Sequence, residues 1–293
     1  MKSWKSLGIF AISFPIFYYL SISLPVIDVP IAIVSMTLTF IGLLFGLLAS
    51  FFISELWNRH VNMREVMAGH SSTLSSILGY VDLFNHNIKF KQNMKHAIEK
   101  YITANVAVRV IESERTDKYF MNLYKALDAV SIDRDKDNTL LTRICALLND
   151  LSNYREKMTI IGKENLFVTE WALLGALSVV IVITTFMQRT GDSASLMLST
   201  IFPPLVILTL SIVYELNKLS WNENSIFIEP DEKIFDRLGM SRLYMTSDIK
   251  LGRISPSALP KHYRTEKDLH GELKEIYLDV INPEHYPHQE DTP

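Results

Sequence analysis

Between Ser50 and Val66 the chain reads SFFISELWNRHVNMREV, setting Glu55, Trp57, Arg59, His60, Arg64 and Glu65 directly behind an apolar run. Charges clustered at such a boundary can do two kinds of chemistry. Repeated around an axis in several copies, Glu55, Arg59 and Arg64 would concentrate or select ions, because rings of charge add their fields. As single side chains they would anchor a helix at an interface, with Glu55 and Arg59, four apart, pairing along it. Glu170 poses the same choice near the start of a later apolar run. An ionisable group close to a bilayer flags function, yet a Glu within a turn of the interface can also reach outward to water.

Enzymatic chemistry finds little support. The chain has no Gly-rich phosphate loop, no nucleophile elbow and no His/Cys set at metal-ligand spacing. His285 and His288 could form a weak metal pair, but they sit in a polar tail where solvated side chains are the simpler account. Cys145 is the one cysteine, so no disulfide forms within the chain. No cofactor or metal is expected, and a net charge of −3 argues against a nucleic-acid partner. A transporter would show charges at mid-span beside a broken helix. Pro203 and Pro204 are placed to break the last apolar run, but no ion-binding group accompanies them.

The elements that must position these residues are membrane helices. Hydrophobic residues make up 48% of the 293 and mean hydropathy is +0.15, and the apolar residues are bunched. Four runs, Leu7–Leu24, Ile31–Ile53, Leu166–Met187 and Ala194–Tyr214, approach or exceed the ~20 residues that cross a hydrocarbon core. The first has the basic start of a secretory signal but no small-x-small cleavage site, so a retained span is expected, with Pro15 placed to kink it. The spans pair as two hairpins. Their short connectors carry one basic residue, Arg189, whereas 16 Lys and Arg lie in Glu55–Asn165 and 10 follow Tyr214. The positive-inside rule then places both termini and the middle segment in the cytoplasm of a plasma (inner) membrane protein.

The helical signal does not stop at the membrane. Met63, Val66, Met67, Leu74, Ile77, Leu78, Val81, Phe84 and Ile88 recur at three- and four-residue spacing, and no Gly or Pro interrupts Leu47–Ala68. One helix is therefore expected from the second span through the Glu55–Ile88 region. Further stripes run through Ile98, Ile102, Val106 and Ile111, then Tyr119, Leu123, Leu127 and Val130. Thr139, closing a polar break from Ser131, is a candidate N-cap for a stripe from Leu140 to Ile161. In the tail, Pro230 or Asp231 can start a short helix that Gly239 ends, and Leu269, Leu273, Ile276, Tyr277 and Val280 mark another. The expected fold is all-α, with four transmembrane helices and a helical cytosolic domain. Its divisions are a hairpin at 1–54, a cytosolic domain at 55–165, a second hairpin at 166–214, a cytosolic segment at 215–281 and a disordered tail at 282–293.

This layout and two motifs resemble the bestrophin superfamily, including its divergent bacterial bestrophin-like members. After the second span, LWNRHVNMREVMAG supplies Trp57, Arg59 and Arg64 at the spacing of the family's aromatic-x-Arg turn and following Arg. His60 and Val61 stand where the family has aromatics, and Asn62 where bacterial members usually have an acid. Before the third span, LLNDLSNYREKMTIIG resembles a second family segment through Asp150, Glu156 and Met158, with TIIG replacing its proline-containing end. The acidic cluster of calcium-binding members has no counterpart in ELNKLSWNENSIFIEP, which counts against a calcium clasp.

The resemblance implies a homo-oligomer, typically a pentamer, whose second spans surround an axis and form an apolar neck. In the family's register the neck positions fall on Leu43, Leu47 and Phe51. Their i, i+4, i+8 spacing does put them on one helical face, although Leu and Phe in a span also face lipid. Gly42 and Gly46, four apart, permit close helix approach either between subunits or within one. Two functions follow: an ion channel of anion or chloride type, with lipids, inorganic ions and other copies of itself as partners, or a non-conducting membrane-anchored helical interaction protein.

Overall fold

The apolar runs and amphipathic stripes form helices. The computed structural model describes residues 4–27, 29–84, 86–108, 114–131, 135–219, 229–250, 254 and 259–281. Among them lie α1 (Trp4–Ser23), α2 (Ile31–Asp82), α3 (Ile88–Val108), α4 (Asp117–Leu127), α5 (Asp135–Lys163), α6 (Val168–Met187), α7 (Ser193–Asn217), α8 (Glu229–Leu238), α9 (Thr246–Lys250) and α10 (Glu272–Ile281). Among the described residues the fold is all-α apart from a pair of two-residue parallel strands, β1 (Leu243–Tyr244) and β2 (Arg264–Thr265). Nothing in the periodicity of the tail announces that pair.

Among the described residues, three helical stretches are long and apolar enough to cross a membrane: Ile31–Asp82, Asp137–Met187 through its α6 portion, and Ser193–Asn217. The apolar part of α1, Leu7–Ser23, is shorter. The chain divides into two compact units, one of Met1–Val61 with Glu164–Asn222, the other of Asn62–Lys163 with Glu223–Pro293. α2 contributes its first part to one unit and its second part to the other.

In the first unit, Phe45, Ala49, Phe52 and Leu56 of α2 pack with Leu174 and Ile181 of α6 and with Val206, Val213 and Leu216 of α7. α7 continues unbroken through Pro203 and Pro204, both buried. The expected break is therefore absent: proline removes a donor, but neighbouring helices and hydroxyls in an apolar setting sustain the helix around it. The Ser199 and Thr200 hydroxyls, one turn earlier, each donate to the Leu196 carbonyl. Likewise α1 runs on through Pro15. Gly191, at φ +86°, makes the turn between α6 and α7, and Asp192 then caps α7 by accepting from the Ser195 amide at 3.3 Å. Beside this turn, Arg189 donates to the Leu24 carbonyl at 3.0 Å and Gln188 to the Ser35 hydroxyl at 2.6 Å, tying the two helical hairpins together.

The second unit has its own core, formed by Leu74, Ile77, Leu78 and Val81 of α2, Met94, Ile98 and Ile102 of α3, Leu123 of α4, and Ile144, Leu148 and Leu151 of α5. Two expectations need correction here. α2 ends at Asp82 and does not reach Ile88, which is exposed at the start of α3. Asn87 starts the new helix, its side chain exchanging bonds with the Ser131 backbone, so an amide able to mimic backbone groups wins over the apolar spacing. Thr139 lies inside α5, which begins at Asp135, and its hydroxyl donates back to the Asp135 carbonyl. Ile111 and the tail 282–293 lie outside the described residues.

Candidate functional site

The α2 residues of the first unit separate into two faces. Phe45, Ala49, Phe52 and Leu56 are at most 7% exposed, whereas Leu43, Leu47 and Phe51 are 62%, 63% and 64% exposed. The contrast follows from helical geometry: an offset of two residues turns the side chain by about 200°, so one set packs while the other faces away. Met36 and Phe40 continue the unpacked face toward the start of α2. Gly42 and Gly46 belong to the same region, and a Cβ on either would meet no atom within 4 Å. Neither glycine is therefore required by packing inside this chain. Gly42 also borders an open cavity of about 440 Å³ with Phe45, Ile181, Phe202 and Leu205. The Thr39 and Thr209 hydroxyls beside it turn back to their own helices' carbonyls, leaving the lining apolar.

At the end of this segment the side chains diverge. Glu55 and Trp57 are exposed, while Arg59 and His60 are buried. Arg59 Nη1 donates to the Asn217 carbonyl at 2.8 Å, and His60 Nε2 meets the Leu216 carbonyl at 3.1 Å. A carbonyl only accepts, so the bonded ring nitrogen carries the hydrogen. These two oxygens belong to the last turn of α7, where the helix dipole favours a cation, and the Leu216 carbonyl also accepts the Leu219 amide at 3.1 Å. The pair thus caps α7 from α2. Asn217 completes the junction by accepting the Leu166 amide through its side chain at 2.8 Å. Just beyond the end of α7, Leu219 lies in the left-handed region at φ 50°.

Burial lowers the Arg59 pKa, and the Glu164 carboxylate opposes that shift. Burial likewise lowers His60, with the carbonyl bond pulling upward and the Arg59 charge pushing further down. His60 is thereby held neutral beside a charged Arg59.

Glu170 is used locally. Its Oε2 accepts the Phe167 amide at 2.7 Å, satisfying one of the free donors at the start of α6. In the second unit, Arg64, Asp150 and Glu156 are exposed on helix surfaces, and Met158 is buried. Among the described residues no group of three or more His, Cys, Asp or Glu is placed to hold a metal ion.

Periodicity alone left out a buried polar group in the second unit. His70 Nε2 lies 2.8 Å from the Tyr101 hydroxyl. The Arg155 guanidinium sits 5.3 Å from the Tyr101 ring centroid and 4.4 Å from that of Phe120, and it pairs with Asp117. Burial drives His70 down to about 3, assisted by the Arg155 charge. The signal was present in the stripes: His70 occupies the buried step between Met67 and Leu74, and Arg155 the step between Leu151 and Met158.

Residues 9–218 match the model of the bestrophin-like domain. The chain belongs to the bestrophin-like family. That is a family of channel-type membrane proteins, not of enzymes. No curated protein and no solved structure matches the chain. The match stops at 218, so α8, the strand pair and α10 lie beyond the family domain.

Proposed function

We propose that this bestrophin-like protein is a homo-oligomeric ion channel, of anion type and with five subunits, whose pore is lined by α2. Leu43, Leu47 and Phe51 form its apolar neck, and Glu55 and Arg64 shape the charge at the mouth. The observation that carries this reading is the unpacked face of α2: large apolar side chains stand about two-thirds exposed opposite a face packed into the core. Gly42 and Gly46, open within the chain, leave room for another copy to approach. A narrow ring of hydrocarbon gates by dewetting, because water entering it loses hydrogen bonds that the wall cannot replace.

In this reading α1 is a fourth span alongside α7, the hairpins 1–54 and 166–214 form the transmembrane part, and 55–165 with 215–281 lies in the cytoplasm. The basic-residue asymmetry supports both termini facing inward in the plasma (inner) membrane. Arg59 serves chiefly to hold α2 to α7, since it is buried against a helix end.

The oligomeric mass of the detergent-purified protein tests the assembly, together with oxidative crosslinking of Leu47→Cys in a Cys145→Ser background. A pentamer with crosslinking between subunits at position 47 is expected. A monomer, or an oligomer in which position 47 never crosslinks, would leave the non-conducting interaction protein as the better account.

A further inference from the structure

α8 is a short amphipathic helix beyond the family domain, and it lies on surfaces of α2 and α3. Its Ile234 and Phe235 are buried in the core of the second unit. The Ser71 hydroxyl of α2 donates to the Pro230 carbonyl, and Arg237 donates to the Ser75 hydroxyl. At the head of this interface stands Asp231. It is 3% exposed, and its Oδ2 has no hydrogen-bond partner. An ionised carboxylate in that position would be buried without a counter-charge, which is costly.

Among the described residues, the charged groups nearby are engaged elsewhere. From α3 the titratable neighbour is Tyr101, itself bonded to His70 of α2 and stacked with Arg155 of α5. Arg155 pairs with Asp117. Arg264, over the Phe235 ring, faces Glu99 at 3.6 Å. Arg242 holds Glu232 and Asp236 of α8, each at 2.7 Å, and Lys233 is exposed. His70 is neutral, being held far below the usual histidine range. Of the described acids on α8, Asp231 is thus the one committed to the buried face.

We propose that α8 is a proton-controlled latch, docked on α2 and α3 while the Asp231 carboxyl carries its proton and released when that carboxyl ionises. Burial supports this by pushing Asp231 up to about 7, whereas an undocked α8 would return it to the ordinary carboxylate range. The sign follows from linkage. The docked state binds the proton more tightly, so its advantage is full below the ordinary carboxylate pKa, declines as pH rises, and is gone above about 7. His70 keeps its Tyr101 partner on α3 and the Arg155 charge beside it when α8 leaves, so it does not offset this slope. Docking then covers or uncovers an apolar surface of the family domain according to proton concentration, whether or not the protein conducts.

Hydrogen–deuterium exchange on the full-length protein in detergent, corrected for the intrinsic pH dependence of exchange, reads this equilibrium in peptides spanning α8. One proton per docking event predicts that α8 protection falls about tenfold per pH unit between pH 5 and 7 and then levels off. Peptides of α3 keep their protection, and Asp231→Asn, which stays neutral, gives a flat profile for α8. The latch is overturned by wild-type α8 protection that is constant from pH 5 to 8, by an Asn variant with the wild-type slope, or by α3 losing protection in step with α8. The wild-type profile decides even if the variant fails to accumulate.

Discussion

A Cβ on Gly69 would lie 2.6 Å from ring carbons of Tyr154, so α2 and α5 approach at this residue only because it has no side chain. Gly69→Ala should cost about 1–3 kcal/mol through overpacking. Adding Tyr154→Ala should recover part of that loss, which a double-mutant cycle on thermal midpoints would measure. Arg59→Ala removes a charge-assisted bond to the last carbonyl turn of α7, and a loss of about 1.5–3 kcal/mol is expected. If Arg59 instead served only as an ion-facing charge, stability would hardly change while conduction did. Residues of this kind were only partly legible in the chain. The Arg59 spacing was visible, but its partner is a backbone carbonyl 158 positions away, which no side-chain pattern encodes. His70 and Arg155 were legible as polar steps on buried stripes, yet the apolar residues around them account for those stripes without a partner being named. Gly42 and Gly46 make the complementary case. Since neither packs within the chain, Gly42→Leu should leave the protomer's helical content intact while weakening the oligomer, visible as a lower mass in size-exclusion light scattering.

At the scale of the elements, α2 answers why a helix leaves an apolar run and continues among charged residues. Its 52 residues span about 78 Å, well beyond the ~30 Å of a hydrocarbon core. The later residues are held by a second core in which Met63, Met67, Leu74 and Ile77 are fully buried. Continuity without Gly or Pro from Leu47 to Ala68 made this helix readable, and it was. Its end was not, because Asn87 decides it through a side-chain bond to Ser131, a residue distant in sequence. Pro substituted at Val61 would remove a donor mid-helix and cost about 3 kcal/mol or more. Wild-type yield and oligomer size in Val61→Pro would mean that the two parts of α2 behave as jointed segments. In the tail α8 was equally legible from Gly239, which follows it at φ +73°, whereas the five-residue α9 and the strands β1 and β2 were too short to leave a periodic signature.

For the whole molecule, two buried groups oppose each other in stability. His70 is driven down to about 3, so its contribution is full above the ordinary histidine range and is lost as pH falls. Asp231 is driven up to about 7, so its contribution is full at low pH and is lost as pH rises. Unfolding returns the proton from Asp231 to His70, so this pair leaves global stability nearly flat between about pH 4 and 6.5. Relative to wild type, Asp231→Asn should make the thermal midpoint rise with pH over that window, and His70→Asn should make it fall. Orientation is tested with a Cys145→Ser background: an impermeant thiol reagent applied to intact cells should label Ser193→Cys and spare Asp128→Cys, and labelling of the latter would invert the topology. Conduction through α2 is tested most directly by single-channel recording in planar bilayers of wild type, of the triple variant Leu43→Ala, Leu47→Ala, Phe51→Ala, and of Leu47→Glu. The account predicts unitary currents in the wild type, a larger conductance when the neck is trimmed, and a shift of reversal potential toward cations when glutamates ring the axis. Silence in both the wild type and the trimmed protein across a range of voltages, with oligomers intact, would contradict it.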